Sequence, residues 1–129
     1  MKTTGNLTIE NTQKTPLIKC DLDTGKLIIQ GNCVPEDGTA FFLPVMNWIR
    51  SYVQNPFSTT EFRIDLHYFN TTSARLLLNL LTDIVKVQEK GSELSIIWMY
   101  DEDDDDIKES GEDYAQILNH EIIFQSKVV

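Results

Sequence analysis

The feature that most constrains this chain is a change of period in its middle. Phe62, Ile64, Leu66 and Tyr68 fall on one side of an alternating run, and Arg63, Asp65 and His67 on the other. A repeat of two is that of a strand with one buried face. After Ser73 the repeat becomes helical, with Leu77, Leu80, Leu81, Ile84 and Val85 in a single apolar stripe. Between them stand Asn70, Thr71, Thr72 and Ser73, small polar residues of the kinds that cap helices. A strand thus hands over to a helix through a cluster of hydroxyls, placed where a helix leaves its first N–H groups unpaired. This junction is the candidate working site.

The remaining chain arranges itself around that unit. Leu7 to Glu10 is a short alternating run, expected as an edge strand or extended arm. Leu17–Asp21 and Lys26–Gln30 flank an Asp/Gly turn and predict a hairpin. Gly31 to Gly38 has the composition of a loop. Phe42, Val45, Met46, Ile49 and Val53 then follow helical spacing. Pro44 belongs best in a first turn, so that helix is expected to begin between Thr39 and Leu43, and Asn55-Pro56 should end it. Gly91 is a natural stop for the helix after Ser73. Glu93 to Tyr100 predicts a strand apolar on both faces, suited to a sheet interior. Tyr114, Ile117 and Leu118 suggest one side of a short helix, and Ile122 to Phe124 a last strand or packed tail. Strands separated by helices imply parallel pairing, and the hairpin adds an antiparallel part. The expectation is one α/β domain over residues 1–129, a mixed sheet with an N-terminal hairpin and helices mainly on one face.

Composition narrows the partners. A net charge of −9 with no basic cluster excludes nucleic acid or an anionic membrane surface, both of which need a positive footprint. No apolar run approaches the ~20 residues of a membrane span, and no apolar signal core follows Met1–Asn6, so a cytoplasmic protein is expected. Cys20 and Cys33 have no CxxC spacing, and His67 and His120 lie far apart, so neither a disulfide framework nor a zinc site is expected.

Three chemistries can be weighed. At Asn70–Ser73, plain helix capping competes with regulatory phosphorylation, since a phosphate there would meet the positive end of a helix. Asp101 to Asp106 is a run of six acids. With Glu109 and Glu112 it matches carboxylate positions of an EF-hand loop, but Asp106 stands where that loop needs Gly, and a solvated, extended acidic loop is the simpler expectation. His67 could be grouped with Asp65 and with Ser73 or Thr71 for hydrolysis. There is no GxSxG elbow and no Gly-rich phosphate loop, so no catalytic residue, enzyme activity, metal or cofactor is expected.

The sequence resembles the SiaC-type regulatory phosphoproteins, whose members are similar to STAS domains, the fold of anti-sigma-factor antagonists. The resemblance is carried by Leu7–Glu10 with Thr15-Pro16, Leu27–Gly31, Pro35-Glu36, Phe41–Pro44 with Trp48 and Tyr52, Tyr68–Ser73, Trp98–Tyr100, the acidic block and Gly111–Tyr114. It implies a bacterial partner switch. A dedicated protein kinase would phosphorylate Thr71, with Thr72 and Ser73 as competing acceptors, and a PP2C-type phosphatase would reverse it. The unmodified form would bind a target, in the best-known branch a diguanylate cyclase, through Tyr68, Asn70, Thr71, Thr72 and Ser73, and so adjust cyclic-di-GMP signalling and biofilm behaviour. The alternatives are an antagonist of an anti-sigma factor with the same switch, or a cation-binding module built on the acidic block.

Overall fold

The computed structural model describes residues 5–128; the first four residues, part of the segment read above for a signal core, lie outside the described residues. Six strands form one sheet in sequence order: β1 (Leu7–Ile9), β2 (Leu17–Asp21), β3 (Lys26–Cys33), β4 (Thr59–Phe69), β5 (Glu93–Asp101) and β6 (Ile123–Lys127). The first three pair antiparallel, and β3 to β6 pair parallel. Each parallel step is bridged by a helix: α1 (Gly38–Tyr52), α2 (Thr71–Ile84), continued by a 3-10 helix over Val85–Lys90, and α3 (Asp105–Leu118). Successive crossovers of one hand, all advancing the sheet in one direction, put every helix on the same face. No helix among the described residues is long and apolar enough to cross a membrane.

A single core lies between that face and the helices. Ile18, Leu27, Ile29, Phe62, Ile64, Ile96 and Trp98 of the strands meet Phe42, Ile49, Leu77, Leu80, Leu81 and Ile84 of α1 and α2, and all are essentially inaccessible. Burying each such side chain contributes about 1.5–3 kcal/mol. At the end of the core away from the α2 start, the buried hydroxyls of Tyr52, Thr60 and Ser92 satisfy one another at 2.9 and 2.7 Å. The opposite face of the sheet is polar. There Lys127 reaches across β5 to Asp65 and Asp101, joining β6 to the centre of the sheet.

Three expectations are corrected. The α1 helix starts at Gly38, with the Asp37 side chain accepting from Ala40 N, which leaves Pro44 inside the helix rather than in its first turn. Pro44 leaves the Ala40 carbonyl without its helical donor, and both residues lie on the exposed face of α1. The acidic run is not an extended loop. Asp101 ends β5, Asp104 caps α3 by accepting from Ile107 N at 3.1 Å, and Asp105 and Asp106 form its first turn. Carboxylates are stabilised at that positive helix end, which offsets their mutual repulsion. Finally, α3 buries Ile107, Gly111 and Tyr114, and leaves Ile117 64% exposed.

Gly111 brings α3 close to the sheet, because a Cβ there would sit 2.7 Å from Trp98 Cδ1 and 2.8 Å from Phe124 Cε1. Gly111→Ala gains helix propensity but overpacks the core. Chemical denaturation should show a net loss of about 1–2 kcal/mol.

Candidate functional site

One residue separates β4 from α2, and its three polar groups hold the junction together. The Asn70 N–H donates to the Cys33 carbonyl of β3 at 3.3 Å. Its side-chain oxygen accepts from Ser73 N at 2.9 Å, and its carbonyl accepts from Ala74 N at 2.9 Å. Asn70 is thus the N-cap of α2, with extended backbone angles, and Thr71 and Thr72 are the first two helical residues. Their N–H groups precede the first intrahelical bond and face outward for an acceptor.

The four residues do not share one environment. Thr71 and Thr72 are exposed, Asn70 is half-buried, and Ser73 is 1% exposed. The Ser73 hydroxyl lies within reach of the Cys33 thiol, a weak acceptor, without a hydrogen bond of normal geometry. Burial pushes the Cys33 thiol up, and the Ser73 contact partly opposes this. At 1% exposure, Ser73 is placed by the structure against its expected part as a competing acceptor and partner contact, since it is buried in the folded chain. Thr72 leans on the start of α1, where a Cβ on the buried Gly38 would stand 3.2 Å from the Thr72 methyl. Among the hydroxyls, Thr71 is the one that is both exposed and free of that neighbour.

Tyr68 was expected on the inward side with Phe62, Ile64 and Leu66. It is 60% exposed. The parallel register passes from Gly31↔Leu66 to Asn32↔Tyr68, so His67 is an extra residue in β4. Such a bulge reverses the alternation beyond it. Phe69 turns inward instead and meets Trp98 edge-on with ring centres 6.2 Å apart. The reversal delivers Tyr68 to the surface two residues before the α2 cap.

The α3 helix forms the flank. A cleft of about 230 Å³ runs between His67, Tyr68 and Phe69 and the α3 cap Asp104 with Asp106, Ile107 and Ser110 of α3. The Tyr114 hydroxyl donates to the Ala74 carbonyl of α2 at 2.8 Å, fixing α3 against the helix that begins at the junction. The sequence reading missed this acidic flank, although Asp104 ahead of two further acids is a helix-start pattern. The hydrolytic grouping is not assembled. Asp65 pairs with Lys127, His67 Nδ1 lies 3.8 Å from Asp101, and Ser73 is turned into the core. Among the described residues, no three His, Cys, Asp or Glu side chains come together to hold a metal ion, and the EF-hand carboxylates are divided among β5, the turn after it and α3.

The fold and this edge define a small α/β domain that presents exposed hydroxyls and an aromatic side chain at a strand-to-helix junction. Residues 9–127 match the SiaC family of regulatory phosphoproteins, and the chain belongs to that family. The fold is similar to apo-SiaC of Pseudomonas aeruginosa, with a TM-score of 0.85 and 26% identity, covering 95% of this chain and 100% of that one. It is also similar to the structure of the diguanylate cyclase SiaD in complex with its activator SiaC from the same organism, with a TM-score of 0.86 and 26% identity, covering 94% and 99%. An uncharacterised protein of Pseudomonas aeruginosa strain UCBPP-PA14 is 28% identical over 111 residues, 86% of this chain and 88% of that protein.

The cap and the buried titratable groups give two predictions. Asn70→Ala removes the cap and should cost about 0.5–2 kcal/mol, a fall in Tm of a few degrees by calorimetry, whereas Asn70→Asp keeps an acceptor and should stay near the native value. Burial, with a smaller contribution from Asp113, pushes the Tyr114 phenol from 10.0 to about 12, and burial pushes the Cys20 thiol from 9.0 to about 12. Both groups hold their protons more tightly folded than unfolded, so their contribution is complete below pH 9 and is lost as pH rises towards 12. A Tm–pH profile should be flat for these groups below pH 9 and fall above it.

Proposed function

We propose that residues 1–129 act as one cytoplasmic regulatory domain that binds and controls a protein target in its unmodified form and is released by phosphorylation of Thr71. The target is a diguanylate cyclase or a protein with an equivalent docking surface; a dedicated kinase adds the phosphate and a PP2C-type phosphatase removes it. The protein regulates an enzyme rather than catalysing a reaction itself. The observation that carries this reading is Thr71 itself: an exposed hydroxyl at the first position of a capped helix, beside a solvent-facing Tyr68, in a chain of a phosphoprotein family. The resemblance to SiaC bound to SiaD supports the choice of target class.

Physical chemistry supports the direction of the switch. A phosphate brings about −1.5 to −2 charge and strong acceptor oxygens. The chain accommodates it, because the helix N-terminus favours negative charge by about 0.3–1 kcal/mol. A partner packed over Tyr68, Asn70, Thr71 and Thr72 would have to bury a hydrated dianion beside the acids of α3. Without a matching cation that costs several kcal/mol, and each 1.4 kcal/mol is tenfold in affinity.

Calorimetric titration against a purified diguanylate cyclase from the same organism that co-purifies with the unmodified protein should show Thr71→Ala binding within a few-fold of native. Phosphothreonine at position 71 should weaken binding at least about tenfold, and Thr71→Glu should do so in part. Equal binding by all these forms, each still folded, would contradict the switch.

A further inference from the structure

Resting on the phosphorylation of Thr71 proposed above, we infer that Arg75 is the intramolecular counter-ion of the phosphate. Residues four apart on a helix lie one above the other on the same face. Thr71 is the first residue of α2, so Arg75 stands one turn below it, and both are exposed. Arg50 and Lys86 hold Asp83, Arg63 holds Glu61, Lys14 holds Glu36 and Lys127 holds Asp65 and Asp101; among the described residues Lys19, Lys26, Arg75 and Lys90 have no ion pair, and of these four Arg75 alone lies on α2. On α3, the neighbouring helix, Lys108 stands over the Tyr100 ring, 5.8 Å from its centre. A free guanidinium in a chain of net charge −9 is thus left one turn from the hydroxyl that takes the charge.

The chemistry fits the position. A guanidinium offers paired N–H donors that match two phosphate oxygens, and such charge-assisted bonds are stronger than neutral ones. The same phosphate faces the unpaired N–H groups of the first turn, so it is held from its side by Arg75 and from beneath by the helix end. Ala74, the other residue one turn from Thr71, offers no side-chain donor. Thr72 also lies within one turn of Arg75, but its methyl is against Gly38. The pairing draws the phosphate down along α2, over the surface that the unmodified protein leaves open.

The test is a phosphorus NMR titration of the full chain carrying phosphothreonine installed at position 71 by genetic-code expansion. Pairing with Arg75 favours the dianion, so Arg75→Gln should make the dianion bind the proton that turns it into the monoanion about two- to threefold more tightly. Arg75→Lys should fall between the two, and Lys90→Gln, at the far end of the 3-10 helix, should match the native protein. Identical titration of the native and Arg75→Gln proteins would overturn the inference. Because the phosphate is installed synthetically, that result would leave the switch at Thr71 standing. Failure of the switch itself would show separately, as an unmodified position 71 in protein mapped from its own cells.

Discussion

The structure depends on a connection one residue long. Asn70 must leave β4 in an extended conformation, bond back to β3 and close the first turn of α2, and it does all three with its N–H, side-chain oxygen and carbonyl. A longer loop would let the start of α2 drift over the sheet edge. Here the sheet itself sets the position of Thr71, and the neighbouring groups are distributed by necessity. Ser73 goes into the core beside Cys33, Thr72 meets α1, and Thr71 is left to solvent.

For the proposed switch, that geometry would let charge be added at this point without loss of the fold. The core lies beneath the sheet's helical face, and the junction contributes to it through Ser73, Leu76 and Leu77 rather than through Thr71. Negative charge added at the first helical position meets a favourable dipole. The rest of the edge is set against further anions, since the α3 start supplies Asp104 and Asp106 to the cleft beside Tyr68. In the proposed switch, tolerance within the chain and intolerance across an interface would both arise from these two helix ends, one already occupied by carboxylates and one open.

Much of this was legible in the sequence. The change of period after Ser73 marked the strand-to-helix junction, and the Asp/Gly turn marked the hairpin. The isolated Gly91 also stood where the backbone turns left-handed, with φ of 84°. Tyr68 was not legible, because alternation cannot reveal an inserted residue such as His67 whose effect appears only against the neighbouring strand. The inward turn of Ser73 was legible but overlooked: it stands four residues before Leu77 and seven before Leu80, on the same apolar stripe, and its small polar side chain hid that phase. The acidic run was misread for a related reason. Six like charges suggest repulsion, yet Asp104 turns part of the run into a helix start that welcomes them. The family supplied what geometry could not, namely that a chain with this junction belongs to a family of regulatory phosphoproteins.

The central claim is that charge is added to a preformed surface and acts locally. Amide chemical shifts of the unmodified chain compared with the chain phosphorylated at position 71 test this most directly. Local action predicts changes confined to Tyr68–Arg75 and the facing starts of α1 and α3, with β5, β6 and the hairpin unmoved. Shifts spreading across the far strands of the sheet would show that the fold rearranges, and would contradict it.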